Sequence, residues 1–425
     1  MTKKIKILIF PAESENAFEI HQSLRYSTRF ETYGASSKEG YASHIFKENF
    51  YLLPNFKEEK FIQKINEIID KENISFIIST HDDTCLYIAK EQEKINAKLI
   101  GSSRYCAEIC REKIKTYKIL SKEYFCPQTF KDPDEIDQWP VFIKPNIGQG
   151  SVNSHRIDNI DELLEKNRTI NDPVICEYLP GEELTVDCFT NNMQELVFIG
   201  PRTRENIKIG ISFSSKTIEL TPEIIDIAYK INLKIRPHGI WFFQLKRNSS
   251  GAFRLLEVAC RASSGMGLYR QVGINLPLLA AYDAIGMNTK IIKNNFPISM
   301  KRRLKSTYSL AYPYRNIYID YDDTLITDKK VNTIAISLLY KCLNENKKVF
   351  LITRHAGDLK EHMEKHCIPE SIFEKIIIIK DASKKSQYIT EKKSIFIDNL
   401  FSEREEVSKN LGIPVFDVDA IDALI

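Results

Sequence analysis

Two stretches of this 425-residue chain carry side chains suited to phosphate chemistry. In Val141-Phe-Ile-Lys144-Pro-Asn-Ile-Gly148-Gln-Gly150-Ser151-Val152, an apolar run ends in a lysine and opens into a loop with two glycines and a serine. Glycine lets backbone N–H groups come close to an anion, and lysine supplies a matching point charge. A triphosphate would fit there, although an ordinary hairpin with a surface lysine has the same composition. No Gly-Lys-Ser/Thr opens a helix at this point, so the loop is not a P-loop. The second stretch is Asn316-Ile-Tyr-Ile-Asp320-Tyr-Asp322-Asp323-Thr324, an apolar run that ends in carboxylates two residues apart. Acidic groups crowded at a strand tip repel one another and call for a cation. Two further apolar runs follow it, one ending in Thr353 and one in Asp398, with Lys380, Lys384 and Lys385 between them.

Other residues have alternatives that local spacing leaves open. Arg202 and Arg204 on an extended chain point the same way. They either clamp a carboxylate or phosphate or form a solvent-facing ladder with acidic neighbours. His81-Asp82-Asp83 ends the apolar run 74–80, where open sheets place ligands, or else Asp83 caps the helix that follows. Lys113 is either a nucleotide contact or part of a solvated basic helix face. Ser263-Ser-Gly-Met-Gly267 is a small-residue loop suited to close approach by an acyl group.

The first region resembles the ATP-grasp superfamily, most closely its carbamoyl-phosphate-synthetase-like branch. The resemblance rests on the Lys144 loop, on Val174-Ile-Cys-Glu177-Tyr178-Leu179-Pro-Gly-Glu-Glu183, and on Trp241-Phe-Phe-Gln244 followed by Glu257-Val-Ala-Cys-Arg261. It implies ATP and Mg2+ as cofactors. Lys144, Lys113 and the Gly148, Gly150 and Ser151 loop would hold phosphates, Glu177, Tyr178 and Leu179 would line the adenine pocket, and Glu183 would sit near the ribose. Gln244 and Glu257 would bear metal, and Arg261 would steady an acyl phosphate. The family usually has asparagine where this chain has Ala259, which removes one magnesium ligand.

The region after residue 312 resembles the haloacid dehalogenase (HAD) superfamily, whose first motif is Asp-x-Asp-x-Thr. By that resemblance Asp320 is a nucleophile toward phosphorus and Asp322 a general acid/base. Thr353 and Lys385 would cradle the transferred group, and Asp398 would hold Mg2+ with Asp320 and Asp322. Asn399 stands where a second acid is frequent, leaving Glu403 as an outer partner. The spacing leaves no room for a cap domain.

Positioning these residues requires an α/β and α+β chain of three parts. Residues 1–110 alternate strands and helices as a Rossmann-like domain without GxGxxG; 111–312 form the ATP-grasp fold; 313–425 form a small Rossmannoid HAD domain with a parallel sheet. A net charge of +3 from 60 basic and 57 acidic side chains argues against bulk attraction to nucleic acid or membrane. Nine cysteines with no CxxC pair indicate neither a zinc knuckle nor a disulfide framework, and a reducing cytoplasm is the expected compartment. The expected activity is bifunctional. One half is an ADP-forming carboxylate–amine ligase, with small-molecule carboxylate and amine substrates that are sugar-linked or phosphorylated. The other is a Mg-dependent phosphatase, and surface-polysaccharide biosynthesis is the expected setting. The alternative is a HAD phosphatase with a non-ligating, nucleotide-binding regulatory half. A homodimer is compatible with either.

Overall fold

The computed structural model describes residues 3–208, 211–287, 290–308 and 310–425. The chain divides into two compact units, 1–304 and 305–425. The first thus combines the two segments that the sequence separates at residue 110.

The first unit begins with a five-stranded parallel sheet in the order Phe50–Leu52, Phe30–Ser36, Ile5–Phe10, Ile74–Ser79, Lys98–Leu99. Its central strands are buried, as parallel sheets with helices on both faces require. Helix Phe61–Glu72 places Phe61, Ile65, Ile68 and Ile69 on one face against that sheet and stops at Asn73, whose φ of 55° is left-handed. The helix after the His81 cluster spans Asp82–Lys90. Its N-cap is His81, whose ring accepts the Asp83 N–H at 3.3 Å, so Asp83 is not the cap.

Two antiparallel sheets follow. One runs in the order Thr129–Phe130, Pro173–Glu177, Val141–Pro145, His155–Ile157. The other runs Leu196–Thr203, Glu183–Thr190, Gly239–Arg247, Phe253–Ala259. Alternation along the second sheet buries Leu184, Val186, Cys188, Trp241, Phe243 and Leu255 on one face. Helix Pro222–Ile235 covers that face with Ile224, Ile227, Ala228 and Ile231. It starts cleanly because Thr221 accepts the Ile224 N–H and Pro222 needs no donor in the first turn. The opposite face carries the polar residues discussed below. A short sheet, Glu205–Lys208, Ile211–Lys216 and Ser299–Lys301, completes the unit.

The second unit is a five-stranded parallel sheet in the order Lys375–Ile378, Lys348–Thr353, Asn316–Ile319, Ser394–Ile397, Val415–Phe416. Helices Thr333–Asn344, Leu359–Lys365 and Phe401–Leu411 supply the crossovers. The three central strands are almost wholly buried, so only their tips can present polar groups. Lys384 and Lys385 open a single 3-10 turn, Lys385–Tyr388, rather than a full helix. Among the described residues no helix is long and apolar enough to cross a membrane.

Candidate functional site

In the first unit a cavity of about 490 Å3 is lined by both antiparallel sheets, the glycine loop and the tip of helix Asp82–Lys90. One wall carries Lys144, buried at the end of its strand, where its Nζ donates to Tyr117 Oη at 2.8 Å and to the Leu256 carbonyl at 3.2 Å. Burial pushes the Tyr117 phenol up to about 12, so it is a neutral hydroxyl that can accept from the lysine. Lys113 opens helix Lys113–Leu120 and reaches the carbonyls of Asn146 and Gly148 at 3.4 and 3.3 Å. Desolvation pulls its pKa below the usual lysine value while Glu257 pulls it back. The loop beyond turns through left-handed backbone at Gly150 and Ser151, with φ of 65° and 59°. Gly150 takes that conformation without strain, and Ser151 does so at the cost of its Cβ.

The floor is one register row across the second sheet. Arg202 lies opposite Thr185, Thr185 opposite Gln244, and Gln244 opposite Glu257. With its amide set by the hydrogen-bond pattern, Gln244 donates to Glu257 Oε1 at 3.3 Å and accepts from Arg204. Thr185 Oγ1 is fully buried and has no hydrogen-bond partner among the described residues. At the far end Arg261 forms a forked pair with Asp82, at 2.9 Å from Nε and 2.8 Å from Nη2. Burial works against the charge on Asp82, but the Arg261 guanidinium outweighs it and holds the carboxyl below its usual value.

Comparison with known proteins bears on this arrangement. The family model for ATP-grasp in the biosynthetic pathway with Ter operon matches residues 169–305. Over 166 residues the chain is 32% identical to a D-alanine–D-alanine ligase of Fusobacterium nucleatum, a match spanning 38% of this chain and 58% of that ligase's length. Among solved structures, the biotin carboxylase–β,γ-ATP complex of Campylobacter jejuni superposes with a TM-score of 0.60. It is 14% identical and covers 70% of this chain and 75% of its own. The L-amino acid ligase of Bacillus licheniformis gives 0.52 at 19% identity, covering 67% and 74%. The first unit has the ATP-grasp fold.

Within the ATP-grasp unit Glu177, Tyr178, Leu179 and Glu183 all border the cavity, but two of the carboxylates are already engaged. Glu177 accepts from Arg254 Nε at 3.0 Å and the Gln128 N–H at 2.9 Å, so it faces the cavity through its backbone and neighbours. Glu183 pairs with Arg204 at 2.8 Å. The expected two-arginine clamp divides. Arg202 is buried and held by Asp187 at 2.7 Å and Ser263 at 3.0 Å, which fixes it as part of the wall. The small-residue loop makes room for protein side chains: a Cβ on Gly265 would strike the Arg202 guanidinium, and one on Gly267 the Glu19 carboxylate. Tyr117, Asn146 and the Asp82–Arg261 pair were not singled out as a set by sequence. Tyr117 sits four residues after Lys113 on the same helix, a spacing that gave a usable signal.

The second unit gathers its own cluster at the strand tips. Lys385 is buried, with Nζ 2.8 Å from Asp320 Oδ1 and 2.6 Å from Asp398 Oδ2. Lys385 is therefore the lysine that reaches the acids. Burial pushes the Asp320 carboxyl up to about 6, with Lys385 opposing and Asp398 reinforcing the shift. Asp322 stands half-exposed beside His355, whose Nδ1 is 2.9 and 3.0 Å from its two oxygens. Thr353 is fully buried and its Oγ1 accepts the His355 N–H at 3.2 Å. Glu403 is paired with Arg354 at 2.7 Å. His355 was missed from sequence, although it lies two residues past Thr353 and so follows the two-residue period of an extended tip.

Proposed function

We propose that the ATP-grasp unit uses ATP and Mg2+ to join a small carboxylate to an amine. The observation that carries this reading is the opposition, across one cavity, of the buried Lys144 and half-buried Lys113 beside a glycine loop and the Gln244–Glu257 pair beside a fixed arginine. The acid's carboxylate would attack the γ-phosphorus to give an acyl phosphate and ADP, and the amine would then displace phosphate to leave an amide. Lys144 and Lys113 neutralise the phosphates, the loop from Gly148 to Ser151 closes over them, and Arg261 steadies the acyl phosphate. Leu179, Tyr178 and Glu177 offer an apolar and backbone-polar slot for a base, with Glu183 and Arg204 toward the ribose. The oxygens of Gln244 and Glu257 are hard donors of the kind magnesium takes, and the ion would supply charge neutralisation between phosphate oxygens. The names of the two similar ligases point to the same reaction class.

The second unit is read as a capless HAD-type phosphomonoesterase. The support is a buried lysine bridging acids at the tips of two adjacent parallel strands, with a hydroxyl at the tip of a third. Asp320 would take the phosphoryl group, Asp322 would protonate the leaving oxygen and later activate water, and Lys385 with Thr353 would hold the transferred group. Asp320, Asp322 and Asp398 offer the oxygen ligands for Mg2+. A phosphorylated, sugar-linked amine would couple the two halves, because removing its phosphate pulls ligation forward. A place in surface-polysaccharide assembly is the narrowest form of this reading.

Ala259 favours a second reading, in which the ATP-grasp unit binds nucleotide without ligating and regulates the phosphatase. An ADP-release screen over acid and amine pools, beside a phosphate-ester panel with Mg2+, separates the two. Acid- and amine-dependent ADP release supports ligation; ester hydrolysis alone supports the second reading; neither activity refutes both.

A further inference from the structure

Cysteine is a small hydrophobe when buried alone, but three sulfurs facing one another are also a set of soft ligands. Cys106 and Cys110 lie one turn apart on helix Arg104–Arg111, which places both on one face. Cys260 comes from the end of strand Phe253–Ala259, against which that helix packs. The three Sγ atoms lie within 4.8 Å of one another, and the Cys106–Cys110 separation is 3.8 Å. A tetrahedron with zinc–sulfur bonds of about 2.3 Å has edges of about 3.8 Å, the length already present on the helix. The widest separation needs to close by about 1 Å, within reach of a side-chain rotation. Cys260 also lines a cavity of about 20 Å3, together with Cys85 and Ser102. Neither Cys106 nor Cys110 borders it, so a water-sized fourth ligand there would approach the ion from the Cys260 side.

We propose that Cys106, Cys110 and Cys260 form a trithiolate site for one thiophilic d10 cation, Zn2+ or Cu+, separate from any magnesium at Glu257. Hydrogen bonds from Cys110 and then Cys260 hold the Cys106 thiol well below its usual value, while Cys110 and Cys260 are pushed up by their bonds with it. A bound cation would draw off the thiol protons. The consequence is mechanical. Cys260 sits between Ala259 and Arg261, and only Glu112 separates helix Arg104–Arg111 from Lys113. The ion would tie the metal-bearing strand to the segment that delivers a phosphate-binding lysine. This inference stands on the sulfur geometry and does not depend on the ligase reading.

The test is elemental analysis of the full-length protein, purified in reductant and dialysed in magnesium buffer, for zinc and copper per chain. One equivalent is expected. Cys106→Ser with Cys260→Ser should lose it, while Cys188→Ser and Cys342→Ser, buried outside the cluster, should keep it. Cobalt(II) added to the chelator-stripped wild type should give a thiolate charge-transfer band, and this reading needs no variant to fold. A cuprous-chelator competition distinguishes Cu+ from Zn2+. A reduced wild-type chain that takes up neither ion, or a double variant that keeps its metal, overturns the proposal.

Discussion

Asp82→Ala tests whether the proposed ligase activity depends on the orientation of Arg261. Asp82 lies 179 residues from Arg261 in sequence and makes both hydrogen bonds of the fork, at 2.9 and 2.8 Å. Charge-assisted hydrogen bonds contribute roughly 1.5–3 kcal/mol each when well desolvated. The side chains are 15% and 18% exposed, so the pair is screened and a total of about 2–3 kcal/mol is the appropriate figure. If orientation is felt only as the acyl phosphate forms, kcat falls about 30- to 150-fold while KM for ATP changes little. Asp82→Asn keeps one neutral acceptor and turns a donor toward the second guanidinium nitrogen, so it should lose at least about half of that free energy. The stability effect has a defined sign. Arg261 holds the folded-state pKa of Asp82 below 3.8, so the pair stabilises the chain above that value and the contribution disappears as pH falls through the lowered value. Wild type and Asp82→Asn should therefore converge in stability in acid and diverge above about pH 4. Steady-state ADP release and thermal melts against pH measure both. An Asp82→Ala enzyme with wild-type kcat, or with only a raised KM for ATP, would refute the positioning argument.

Lys144→Ala should abolish ATP-dependent turnover and leave ester hydrolysis by the second unit largely intact; normal ATP turnover would put the nucleotide elsewhere. Glu257→Gln should damage ligation more than Gln244→Ala, because with Ala259 unable to bind metal the charged oxygen of Glu257 dominates around a hard cation. Equal mild losses would count against magnesium on these strands. Asp320→Asn should eliminate phosphate release from a small-ester panel and any trapped phosphoenzyme, whereas Asp322→Asn should slow turnover by about two to four orders of magnitude. Retained hydrolysis in Asp320→Asn would remove it as nucleophile.

The local geometry of both units was legible because it depends on short-range rules. The turn Asn248-Ser-Ser-Gly251 fixes the register of its two strands as far as Leu245 opposite Leu255, whereas Gln244 meets Glu257 only because the register shifts by one residue there, which the turn does not foretell. Asp320 and Thr353 close apolar runs that become adjacent parallel strands, and their meeting follows from chain order. What the sequence left open is the choice of partner across long separations. Arg202 lies in strand Leu196–Thr203 and Arg204 just beyond its end, and nothing local indicates that one is spent on Asp187 and the other shared between Glu183 and Gln244. The small residues at Gly265 and Gly267 suggested room for a ligand, and that room is filled by Arg202 and Glu19. Loop conformation alone does not distinguish a ligand from a neighbouring side chain.

Thr185 offers a final test, because its environment is complete on the apolar side and incomplete on the polar side. It sits between Arg202 and Gln244 in the register row, at zero exposure, and its Oγ1 has no hydrogen-bond partner among the described residues. A buried hydroxyl left unpaired costs about 1–3 kcal/mol. Its neighbours cannot relieve that cost, since Arg202 is directed to Asp187 and Ser263 while the Gln244 amide is shared with Glu257 and Arg204. A substrate group in the cavity that Thr185 borders can, once the hydroxyl turns toward it. Thr185→Val keeps the shape and removes the orphan group, so the free protein should be as stable as wild type or more stable by about 1 kcal/mol. The same change should weaken the ligand that satisfies the hydroxyl, raising KM for either ATP or the acid about 5- to 10-fold, corresponding to about 1 kcal/mol. Denaturant unfolding of the unliganded chain and KM for each substrate give the two numbers. A Thr185→Val variant that loses stability while both KM values stay at wild type would mean that Thr185 serves the fold and not the substrate.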